Sequence, residues 1–132
     1  MTLRRWFTSG LLASTMTVST LIGTAGAGHA APAGPVDPGI PFSSVVYGTG
    51  CTYTLTVPVN SSGIVAFYER KRGYPPRLIG RDRAYQGYAS VWWSPRRIGN
   101  RRLYAIQNGK RSPITVARVH QGYGSGGLCF AL

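Results

Sequence analysis

The chain has 132 residues, 15 of them Lys or Arg against 3 Asp or Glu, for a formal net charge of +12. The acids are Asp37, Glu69 and Asp82, too sparse for the paired carboxylates of general acid–base catalysis. Two cysteines without a C-x-x-C spacing, and a single histidine (His120) beyond residue 30, give no metal-ligand set.

Residues 1–30 read as a cleaved signal peptide. Arg4 and Arg5 form a positive start, Trp6–Ala25 is free of charge, and Ala25–Ala30 supplies small residues at the cleavage positions. Cleavage after Ala30 is favoured, with Ala27 as the alternative. Six Ser and Thr between Ser14 and Thr24 make the stretch too weakly apolar for a membrane span. Arg4-Arg5-Trp6-Phe7 has the twin-arginine spacing, which ordinary secretory signals also show, so both export routes fit. No cysteine precedes Cys51, so there is no site for a lipid anchor.

Removing residues 1–30 leaves 102 residues with 13 cations and 3 acids, a net charge of +10. This is enough chain for one domain with a modest core. Its field favours anionic partners, such as a cell-wall polymer, lipid headgroups, acidic glycans or nucleic acid. Two cysteines in an exported chain predict a Cys51–Cys129 disulfide. Residues 31–42, with four prolines, read as an extended leader outside the packed structure. The domain is then residues 43–132.

From Ser43 onward, short alternating runs predict an all-β, antiparallel β-sandwich of about seven strands. The strands fall at 45–47, 51–57, 64–69, 78–83, 88–93, 102–107 and 114–119. Asn108-Gly109 is a type I′ hairpin pair, so the last two strands should be antiparallel neighbours. Alternation turns Val65, Phe67, Ala89, Val91, Trp93, Leu103 and Ala105 inward.

Gly63–Tyr68 (GIVAFY), Leu78–Gly80 (LIG), Gly87–Ser90 (GYAS), Pro95, Gly99 and Leu103–Ala105 (LYA) together resemble the bacterial immunoglobulin-like repeat domains of surface and secreted proteins. Each of these motifs is short; their order and spacing carry the likeness across residues 43–119. The resemblance implies an immunoglobulin-like sandwich of a usually non-catalytic kind; a binding or structural role is expected, and no cofactor. Two features depart from it: the domain is single, and Cys129 sits in a C-terminal tail, so the disulfide would clamp the tail instead of pinning two sheets.

Two surfaces are candidates for binding. Arg70, Lys71, Arg72 and Arg77 from one turn, and Arg96, Arg97, Arg101 and Arg102 from another, should crowd one pole with Tyr74 and Trp92. An anionic polymer or cell-wall surface would bind there, with no specific nucleic-acid recognition expected. The outward set Ile64, Ala66, Tyr68, Tyr104, Ile106, Thr115, Ala117 and Val119 is apolar for a solvated face. It would serve a protein partner or a homodimer, unless the tail 120–132 folds across it. Rival readings are a secreted cationic toxin or antimicrobial effector, which lacks the usual amphipathic helix, a small-molecule carrier of the chromoprotein type, and a protease inhibitor.

Overall fold

A computed structural model describes residues 32–39, 46–125 and 128–132. The expected signal peptide lies outside them. Every regular element among the described residues is a strand: β1 (Tyr47–Gly48), β2 (Tyr53–Pro58), β3 (Ile64–Arg70), β4 (Arg77–Arg83), β5 (Tyr88–Trp93), β6 (Gly99–Gln107), β7 (Lys110–Arg111), β8 (Thr115–His120), β9 (Gly122–Ser125) and β10 (Leu128–Ala131). The described residues are all-β, and the expected strands are there to within three residues.

The strands form one large sheet, ordered β1-β8-β6-β3-β4 with β7 on β6, and two small ones, β2-β5 and β9-β10. Asn108 and Gly109 take φ of 52° and 74°, as the I′ turn between β6 and β7 requires. β8 then pairs antiparallel with the first half of β6. Leu55 and Val57 of β2 and Ala89, Val91 and Trp93 of β5 share one buried cluster with Val65, Phe67, Leu103, Ala105, Ala117 and Val119 of the large sheet. Each inward residue named above is buried. Burying a Leu, Val or Phe side chain contributes about 1.5–3 kcal/mol, so this cluster is the main stabilising element.

The phase of β8 differs from the expected one. Ala117 and Val119 are 1% exposed, whereas Val116 is 60% exposed. Ala117 lies opposite Arg101 and Thr115 opposite Leu103, both inward residues of β6, and Arg118 takes the solvent side.

Residues 32–39 also differ: they are extended, yet they pack. Asp37 exchanges backbone hydrogen bonds with Thr56 at 2.7 and 2.9 Å, and Ala33 N–H donates to Pro58 O at 2.7 Å. Val36 is thereby driven into the core at 1% exposure. Proline lacks only one donor, so a proline-rich segment can still lie along a strand edge. β1 then pairs in parallel with β8, on the other sheet.

Tyr47 of β1 packs edge-on against Tyr53 and near Trp93, with centroids 4.9 and 5.6 Å away, and its hydroxyl donates to Gly39 O at 2.7 Å. Burial raises its pKa above the ordinary tyrosine value, with Asp37 and Tyr53 adding to the rise. The folded state therefore holds this proton more tightly than the unfolded chain does. Tyr47 contributes its full stability below about pH 10 and loses it as pH climbs through the raised value. Urea midpoints measured from pH 9 to 11 should fall, and Tyr47→Phe should flatten the fall. An unchanged slope in that variant would refute the assignment.

The tail forms its own hairpin, β9-β10, against β1. Thr49 N–H donates to His120 O at 2.9 Å, Gly122 N–H donates to Thr49 Oγ1 at 3.0 Å, and Cys129 bonds Cys51. Backbones touch here: a Cβ on Gly122 would lie 2.0 Å from Thr49 O, and one on Gly48 would lie 2.9 Å from Gly122 Cα. Only glycine admits that approach.

Candidate anion-binding cleft

Glu69 closes the inward row Val65, Phe67, Glu69 of β3 and is 6% exposed. Its Oε1 accepts from Arg77 Nε at 2.8 Å and its Oε2 from Trp93 Nε1 at 2.8 Å. Arg101 Nε stands 3.7 Å from Oε2, a distance at which charge rather than a hydrogen bond binds the pair. Arg101 is itself 5% exposed and donates to Arg97 O at 2.6 Å and Gly99 O at 3.0 Å. Burial pushes its pKa below the ordinary arginine value; Glu69 opposes that shift, and Arg77 and Arg97 reinforce it. An acid and a base on the inward side of a sheet satisfy each other because a lone buried charge is far more costly than a paired one.

Around this network two loops meet. Lys71 Nζ donates to Ile98 O at 3.0 Å and lies 5.5 Å from the Tyr74 ring centre, so the turn after β3 is tied to the corner after β5. Between them opens a cleft of about 530 Å3, lined by Glu69, Lys71, Tyr74, Pro75, Pro76, Arg77, Arg96, Arg97 and Arg101. Pro75 and Pro76 stiffen one wall, since each fixes its own φ.

Six of the ten expected pole residues (Lys71, Tyr74, Arg77, Arg96, Arg97 and Arg101) line this one cleft. They do so in two ways. Arg77 and Arg101 are engaged with Glu69, so they shape the wall and set its field; Arg101 is too enclosed to reach a ligand by itself. Arg96 and Arg97 are exposed, and Lys71 is partly so.

The other four lie elsewhere. Arg72 is exposed in the turn. Arg70 and Arg102 face each other on the outer side of the large sheet. Trp92 is 78% exposed, but it sits opposite Thr54 on the outer side of β2-β5, because β5 pairs with β2 and not with the large sheet. Asp82 accepts the Ser90 backbone N–H at 2.8 Å.

The outward apolar set is less open than expected. Ile64 is 48% exposed, but Ala66, Tyr68 and Ile106 are half-buried and Tyr104 is 7% exposed. Tyr104 stacks on Tyr68 with centroids 5.5 Å apart and planes 14° apart, while Arg111 lies 5.4 Å from its ring centre. The tail hairpin packs beside β1, two strands away from β6 in the sheet order.

The residue that sequence reading undervalued is Glu69. Its signal was present, as Val65-x-Phe67-x-Glu69 continues one inward row.

Comparison with protein-family models, with curated proteins and with solved structures finds no match to this chain.

Proposed function

We propose that the chain is exported, and that its folded part is a non-enzymatic, immunoglobulin-like β-sandwich that grips an anionic group of a cell-surface polymer in the cleft. The observation that carries this reading is the convergence of two loops, twenty-odd residues apart in sequence, on one cationic cleft whose single acid is already held by Arg77, Arg101 and Trp93. Arg96, Arg97 and Lys71 remain to meet a ligand, and guanidinium groups match phosphate or carboxylate through paired hydrogen bonds.

The strand pairing supports the sandwich. β2 with β5, and β3 with β6 with β8, repeat the B–E and C–F–G pairings of immunoglobulin-like domains. β4 joins β3, and the disulfide clamps the tail to Cys51, just ahead of β2. The Cys51–Cys129 bond also supports export, since disulfides persist in oxidising compartments.

Cosedimentation with purified bacterial cell walls tests the cleft. Binding should weaken steeply from 50 to 300 mM salt. Arg96→Ser/Arg97→Ser should lose about tenfold in affinity or more, the equivalent of one charge-assisted hydrogen bond. Salt-independent binding, or full binding by that variant with its fold intact, would refute the reading.

A further inference from the structure

The outer face of the large sheet holds a second concentration of charge that the cleft does not absorb. Directly opposed residues in neighbouring strands share a face, so the register defines this one. Arg83 lies opposite Ile64 and Arg81 opposite Ala66; Arg111 lies opposite Ile106, Arg70 opposite Arg102, and Arg118 opposite Asn100. All six arginines are exposed.

The three acids are elsewhere. Glu69 is buried, Asp82 lies on the inward side opposite Val65, and Asp37 belongs to the segment along β2. Among the described residues, ion pairs reach Arg77 and Arg101 but none of these six.

Such a face is costly without a partner. Arg70 and Arg102 oppose each other directly, and like charges across a ladder destabilise the pair. A second copy of the chain would set six guanidiniums against six more, so the face repels itself despite Ile64 and Val116. It does not suit a base-stacking strand either. Stacking needs an open ring, and Tyr104 is enclosed between Tyr68 and Arg111.

The partner that fits is a linear polyanion recognised through its charges. Every cation on the face is arginine, whose planar fork matches the two bare oxygens of a phosphodiester. Arg81 and Arg83 succeed one another on one side of β4 at about 7 Å. That interval suits a polymer with a charge at every unit better than a glycan with one carboxylate per disaccharide.

We propose that the arginine face of the large sheet docks a base-free, linear phosphodiester polymer. This proposal is independent of the cleft: it uses Arg70, Arg81, Arg83, Arg102, Arg111 and Arg118, and none of these lines the cleft.

The test titrates purified protein with synthetic poly(glycerol phosphate) at 50 and 200 mM salt. If four phosphates are neutralised, affinity should fall about 50-fold across that range, using the single-strand slope. Arg81→Ser/Arg102→Ser/Arg111→Ser, checked for an unchanged circular dichroism spectrum and melting temperature, should lose at least tenfold in affinity and show a shallower salt slope. Arg96→Ser/Arg97→Ser should keep the parent slope on this face.

Unchanged affinity and slope in the triple variant would overturn the proposal, whatever the cleft variant does. So would no binding by the parent, or equal competition by a carboxylated disaccharide-repeat glycan or a single-stranded DNA of equal charge. A parent dimer that the triple variant abolishes would assign the face to a second copy instead.

Discussion

Replacing Cys51 and Cys129 together by serine is expected to lower stability by about 4.5 kcal/mol, the chain-entropy value for a ring of this length. The bond joins residues separated by 78 positions and encloses β2 through β9 entire. For a domain of roughly 100 residues that loss corresponds to a melting temperature lower by about 20–30 °C. Total stability in this size class is about 5–10 kcal/mol, so the reduced protein should be barely folded at 37 °C. Calorimetry of the parent with and without reductant, beside the double serine variant, measures it. A fall of under about 5 °C would mean that the β9-β10 hairpin holds its place without the bond, through the Thr49, His120 and Gly122 contacts alone.

The second large effect is expected at Glu69. Glu69→Gln keeps the shape and an acceptor for Trp93 Nε1, but leaves Arg101 buried beside Arg77 with no opposing charge. Breaking one side of a buried ion pair costs about 3–5 kcal/mol. Arg77→Met should cost under about 1 kcal/mol, because the Arg77 side chain is half exposed and water takes up much of its role. Urea unfolding of both variants gives the comparison. Equal losses would show that the network is a surface feature, and the cleft wall would then have no rigid anchor.

Much of this architecture can be read from alternation. β3, β5 and β6 each hold an unbroken apolar row between turn residues, so Val65 and Phe67, Ala89 to Trp93, and Leu103 with Ala105 face inward as the two-residue period requires. The same period places Glu69 and Arg101 inward. What hid them was residue type, since acids and arginines are ordinarily given to the surface and the reason for the exception, each other, lies 32 positions away. β8 was harder. Thr115 to His120 mixes polar and apolar residues on both sides, and only its pairing with β6 fixes the phase. Trp92 shows the same limit: alternation gives its outward direction correctly, but which sheet β5 joins depends on a partner in β2, more than thirty residues earlier. The tail hairpin left almost no trace, because glycine-rich strands are held by backbone bonds that side chains do not advertise.

The stretch before Cys51 stands outside the covalent ring, and it covers two strand edges at once. Residues 32–37 lie along β2, and Tyr47–Gly48 lie along β8. Removing that stretch would bare an unpaired edge on each sheet, and exposed edges invite strands from other molecules. A protease that trims this stretch would therefore open both sheets to strand exchange with other molecules.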